Sequence, residues 1–297
     1  MKLLIVSLLA AMSGSAIATG SDTGPLELTR LQNSVYAGFE GIKGKVQLHA
    51  GRWEGEPPQP GSASVPRVDF LGDLVARGDL NGDGREEAAV VLTTNYGGTG
   101  VFFYVAVVAR NGEENRNIAT HGIGDRVQVR GLRIEEGRLV VDLVRAGAKD
   151  AACCPTEVVT LAFRLKGGRL TTPVQVGQST TLSPQLLAGR RWRLSSWKFG
   201  EPAQGHLTLA YVDGRFLGSA GCNEYSAAVK ATDTIGSIAV GPATSTRKQC
   251  GPEVMAQEQR FLGLLPSVKR FWFHAGQLAL DYGTGEQFGV MFLDREN

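Results

Sequence analysis

No stretch of this 297-residue chain is apolar for the roughly 20 residues that a membrane-spanning helix needs. Neither charge dominates. Thirty-one Lys and Arg face 29 Asp and Glu without forming a basic block, which removes the electrostatic case for nucleic acid or an acidic membrane surface. Histidine is scarce: His49, His121, His206 and His274 are scattered, and none has a carboxylate or cysteine at ligand spacing. The hydrolase pattern Gly-x-Ser-x-Gly is missing, since Gly218-Ser-Ala-Gly221 puts its serine in the wrong place. Tyr96-Gly97-Gly98-Thr99-Gly100 lacks a following Lys-Ser/Thr and leads into a strand rather than a helix. Without a helix N-terminus it has no anion-binding argument.

What is present begins at the N-terminus. Lys2, the apolar run Leu3 to Met12 and the small-x-small site Ala16-Ile17-Ala18 follow the order of a secretory signal. Residues 1–18 are therefore expected to be removed, with the mature chain starting near Thr19 in the periplasm or outside the cell. No cysteine follows the cleavage site, so no lipid anchor is expected. Removing Lys2 lowers the net charge from +2 to +1.

Disulfides are permitted in an exported chain. The four cysteines, Cys153, Cys154, Cys222 and Cys250, allow three pairings. Cys222–Cys250 is preferred because both residues fall in one predicted domain. Zinc is the rival, weakened by the lack of any Cys-x-x-Cys pair. The adjacent Cys153 and Cys154 fit either a vicinal disulfide or two thiols.

Thirty-nine glycines and many short Val/Thr/Phe-rich runs predict a mostly β, α+β protein. Strands are expected over Val46–Trp53, Ala88–Thr94, Val101–Ala109, Arg126–Ile134, Leu139–Val144 and Val158–Leu165. Asn111-Gly112, Glu136-Gly137 and Gly167-Gly168 supply the turns. With no helices between them these strands pair antiparallel, as a sandwich or a strongly curved sheet over residues 19–170. Residues 171–184, poor in large apolar side chains, read as a linker. The second domain, 185–297, has strands over Arg191–Trp197, Leu207–Val212 and Arg215–Ala220, with Asp213-Gly214 turning between the last two. Pro252 starts a helix whose apolar face is drawn by Val254, Phe261, Leu262 and Leu265, and Pro266 stops it. Strands Arg270–His274 and Gln277–Tyr282, joined by Ala275-Gly276, and Gln287–Leu293 close an antiparallel sheet crossed by that helix.

Asp79-Leu-Asn81-Gly-Asp83-Gly-Arg85-Glu-Glu87 has the spacing of a calcium loop, with oxygens from Asp79, Asn81, Asp83 and Glu87 and the carbonyl of Arg85. The position-12 glutamate of an EF-hand is replaced by Val90, and a strand follows directly. An Asx-rich turn without metal uses the same residues.

Trp192, Gly218 with Gly221-Cys222-Asn223, Tyr225, Thr246-Arg247, Cys250, Met255, Gln257-Glu258 and Phe261 resemble the signature of the META domain, the HslJ-like family. The first domain resembles the N-terminal regions of exported META-domain proteins. The resemblance implies an envelope protein linked to stress or antibiotic tolerance, without a known active site. The expected function is thus a non-enzymatic envelope module that binds a protein or small ligand, not nucleic acid. Its rivals are a calcium-dependent recognition or adhesion protein and a hydrolase. Asn223, Arg247 and Glu258 are read as a buried network in which Arg247 pairs with Glu258, the alternative being a ligand pocket.

Overall fold

The computed structural model describes residues 26–296 apart from 58, 60–63, 113, 152, 199, 285 and 286; residues 1–18, read above as a secretory signal, lie outside them. A short helix α1 (Leu28–Leu31) and a hairpin, β1 (Val35–Ala37) with β2 (Lys45–Gln47), come first. Two sheets follow. One is ordered β3 (Arg52–Glu54), β4 (Arg67–Gly78), β5 (Glu87–Asn95), β6 (Phe102–Asn111), β7 (Glu114–Asp125). The other contains β8 (Gln128–Glu135), β9 (Arg138–Arg145) and β10 (Glu157–Phe163), beyond which a small β11 (Leu165–Lys166)–β12 (Arg169–Leu170) hairpin projects. Its edge is β13 (Val174–Gln175) and β14 (Thr180–Thr181), both paired to β10. Residues 171–184, read as a linker, are laid down in part as edge strand on β10.

Apolar runs explain the layering. Ala88 to Leu92 in β5 is apolar at every position, so side chains of both parities must be buried. Ala89 and Val91 face the second sheet, packing with Val141, Leu143 and Phe163. Ala88, Val90 and Leu92 face the other way and are covered by Leu31, Tyr36 and Leu48 from the N-terminal segment. The sandwich reading is correct, with an extra cover on one sheet.

The expected strand Val46–Trp53 is broken. Ala50 and Gly51 take φ of 49° and 84°, a tight turn that ends one strand and starts another, bridged at His49 and Arg52. Strands β4 and β7 had no sequence forecast.

The second domain is a single curved sheet: β20 (Ile238–Val240), β19 (Glu224–Ala231), β18 (Arg215–Ser219), β17 (Thr208–Val212), β15 (Arg191–Lys198), β24 (Gln287–Arg295), β23 (Gln277–Thr284), β22 (Val268–His274) in spatial order. Short strands β16 (Glu201–Pro202) and β21 (Thr244–Ser245) pair with β15 and β19. The two ends of the sheet meet, with Phe271 N–H donating to Gly236 O at 3.2 Å and Ser237 bridging Arg270. The result is nearly a barrel. Helix α2 (Pro252–Leu264) lies across it and buries Glu258 and Phe261. Val254, expected on the buried face, is 38% exposed; the inward stripe runs Glu258, Phe261, Leu265 instead. Phe261 meets the rings of Trp197 and Tyr225 at 6.5 and 5.4 Å.

The domains share more than a connector. Val144, Val158 and Leu182 pack into the barrel's core cluster, and the β22–β23 turn at Ala275-Gly276 docks on the first domain.

Candidate functional site

Three buried polar residues, Thr208, Asn223 and Glu258, gather where the β18–β19 turn meets α2. Gly218 permits the close approach: a Cβ there would sit 2.7 Å from the Thr208 carbonyl carbon and 2.9 Å from its Oγ1. Thr208 is busy on both sides, its Oγ1 accepting from Ser219 N–H at 2.9 Å and its carbonyl accepting from the Tyr225 hydroxyl at 3.0 Å. Gly221 then turns the chain with φ of 103°, a conformation that favours glycine. Cys222 bonds to Cys250 across a Cα–Cα distance of 6.0 Å, fixing the segment that precedes α2.

Asn223 is the hub. Its backbone N–H donates to Glu258 Oε2 at 2.8 Å and its Nδ2 to Glu258 Oε1 at 2.9 Å and Lys248 O at 3.1 Å. Its Oδ1 accepts from Thr246 Oγ1 and Lys248 N–H, both at 2.7 Å. Asn223 is 2% exposed and Glu258 5%. The expected Arg247–Glu258 pair does not form: Arg247 is exposed and makes no hydrogen bond or ion pair with a described residue. The reason is chemical. Each Glu258 oxygen has a donor from one rigid residue, so a guanidinium need not be desolvated to reach it. Asn can also accept, which lets it bind the Thr246–Lys248 segment through the Thr246 hydroxyl and the Lys248 amide, as Arg could not. Sequence reasoning named Asn223 but missed its centrality; an asparagine directly after a bridged cysteine was the available signal.

The loop Asp79–Glu87 folds around its own amides. Asp79 accepts from Gly82 N–H at 2.6 Å and Gly84 N–H at 2.9 Å, and these amides, that of Gly84 first, hold its carboxyl below the usual range. Asn81 Oδ1 accepts from Asp83 N–H, and Asp83 Oδ1 from Arg85 N–H. Glu87 points inward, 1% exposed, accepting from Leu80 N–H at 2.9 Å and Asn81 Nδ2 at 2.8 Å. Burial pushes its carboxyl up, opposed by the Leu80 amide. Among the described residues no group of three or more His, Cys, Asp or Glu has metal-holding geometry.

The histidines stay apart. His121 packs edge-on against Phe163 and His274 against Trp272, burial lowering the pKa of each, while exposed His206 faces Glu296 at 3.2 Å. Cys153 and Cys154 are bonded to each other in the exposed β9–β10 loop. That loop is organised by Asp150, whose Oδ2 accepts from Gly147 N–H at 2.8 Å and Thr156 N–H at 2.7 Å.

Two expected results arise here. Cys222→Ser should lower stability by about 3 kcal/mol, because the bridge closes a loop of 28 residues in the unfolded chain; denaturant titration checks it. Asp150 has its carboxyl held below its ordinary 3.8, chiefly by the Gly147 amide. A depressed folded pKa means its contribution is complete above 3.8 and is lost as pH falls through the lower folded value. Asp150→Asn should therefore be less stable at neutral pH yet lose less on acidification. Urea midpoints measured from pH 7 downward that fall in parallel for both proteins would refute this.

Residues 185–294 match the family model of the META domain. No curated protein and no solved structure matches the chain.

Proposed function

We propose that this chain is an exported, non-enzymatic envelope protein that acts by binding, with its META domain as a disulfide-stapled platform. The observation that carries the reading is the mutual saturation of Asn223 and Glu258: the buried polar groups of the signature hold the fold and leave no free acid or base for turnover. Two disulfides fit an oxidising compartment. The domain assignment fits an envelope setting.

The test is fractionation of tagged full-length protein with thiol trapping, followed by crosslinking to envelope extract. Recovery in the periplasmic or secreted fraction with blocked thiols, and capture of the same component by repeated preparations, is expected. Cytoplasmic retention with alkylatable cysteines overturns the reading. Turnover of any substrate that is lost on changing a serine or histidine would restore the hydrolase.

Calcium-dependent recognition through the Asp79 loop is tested separately. Because the carboxylates of Asp79 and Glu87 already accept from amides, millimolar Ca²⁺ should give no saturable heat and no rise in melting temperature. A rise in wild type that Asp83→Ala abolishes would make the loop a metal site.

A further inference from the structure

The β22–β23 hairpin is seated on the first domain by specific bonds. Gly276 N–H donates to Val129 O at 2.9 Å and Phe273 N–H to Gln128 Oε1 at 3.1 Å. Strand β4 slips register against β5 between Phe70 and Val75, and the bulge brings Gly72, with φ of 60°, against the Ala275 methyl. Beside this contact lies a cleft of about 390 Å³ with walls from both domains, among them Leu74, Arg130, Leu132, Gln277, Asp294 and Arg295. Its size is in the range of small-molecule sites.

The charges around the cleft are not balanced in the usual way. The Arg130 guanidinium stands 5.2 Å from the Phe273 ring centre, and its Nε is buried without a hydrogen-bond partner. Burial first, then neighbouring Arg190, lowers its pKa to about 10. Arg190 is in turn disfavoured by burial and by Arg295. None of these three arginines forms an ion pair with a described residue. The nearby acids are committed elsewhere: Asp142 to Arg133 at 2.5 Å and to the Thr160 hydroxyl at 2.7 Å, and Asp294 to Gln277 Nε2 at 2.7 Å. A desolvated guanidinium without an anion is costly, and its planar fork matches a carboxylate or phosphate.

We propose that this interdomain cleft binds a small organic anion through a carboxylate or phosphate group held by Arg130 and Arg295, with Leu74 and Leu132 packing against its apolar part. The site stands independently of where the protein resides. The bland alternative is that Arg130 only tethers the domains by lying over Phe273.

Calorimetry and thermal shift on the full chain separate the two, with inorganic phosphate and succinate as probes at ionic strength held constant with NaCl. Saturable binding of at least one probe is expected, and whichever binds identifies the anionic group. Arg130→Gln and Arg295→Gln should each weaken it about ten-fold or more. Arg295 is exposed, so its variant keeps the fold and the test even if Arg130→Gln unfolds. Absence of saturable binding to wild type, or equal binding by wild type and Arg295→Gln, overturns the proposal. So does an Arg130→Gln variant that melts lower while binding the probes as wild type does.

Discussion

Gly218→Ala should lower the stability of the second domain by on the order of 3 kcal/mol, for the addition of a single methyl group. The new carbon would collide with the Thr208 carbonyl group, and backbone cannot swing aside as a side chain can. Moving Thr208 would strain three things at once. Its carbonyl holds the Tyr225 hydroxyl, its Oγ1 holds the Ser219 amide, and β17 and β18 are paired at Ala210–Leu217 just beyond. Gly263→Ala is the matched control. That glycine sits in α2 with nothing within 4 Å of an added Cβ, so alanine there should stabilise by about 0.5–1 kcal/mol through helix propensity. Melting temperatures should move in opposite directions. If Gly218→Ala melts with wild type, the close approach is not what the position requires.

The second large effect belongs to the Asn223–Glu258 pair. Asn223→Ala keeps the backbone donor to Oε2 but strips the one to Oε1, leaving a carboxylate at 5% exposure half-satisfied; a loss of about 3 kcal/mol is expected. Glu258→Ala leaves two buried donors of Asn223 without an acceptor and should cost about 2–3 kcal/mol. The double variant should lose clearly less than the sum, because each single change damages the same contact. Arg247→Ala, on the surface, should stay within about 0.5 kcal/mol of wild type. Additive losses in the double variant, or a large loss at Arg247, would mean that the exposed arginine and not the asparagine completes the network.

Much of the fold could be read from local chemistry because the turns are local. Asn111-Gly112, Glu136-Gly137, Asp213-Gly214 and Ala275-Gly276 all lie at hairpin tips, with positive φ at Gly112 and at both residues of each of the other three pairs. Pro252 starts α2, and Cys222 finds Cys250. Strands without a clean alternation were invisible. In β7 the polar Asn117 sits at a register shift, its Nδ2 donating to the carbonyls of Val107 and Ala119; such a residue reads as loop until its partner strand is known. In β19 the sequence Ser226-Ala-Ala-Val229 alternates in burial but hardly in hydrophobicity. The Arg247 expectation failed because charge complementarity ignores distance, while Asn223 reaches Glu258 from 35 residues away only once two turns are folded. The Arg130 cleft had no sequence signature at all, since its walls are about 150 residues apart in the chain.

The meeting of β20 and β22 also limits how a partner can be recognised. An open sheet offers an edge of unpaired amides and carbonyls, onto which an incoming peptide or another copy can add a strand. Here the turn leading into β20 bonds to β22 through Phe271 N–H and Gly236 O and bridges it at Ser237 and Arg270, so part of that edge is occupied. Backbone-led strand addition is therefore disfavoured along that stretch. Whatever docks there must read side chains and loops, which makes its selection sensitive to surface sequence and tolerant of changes in the barrel wall behind.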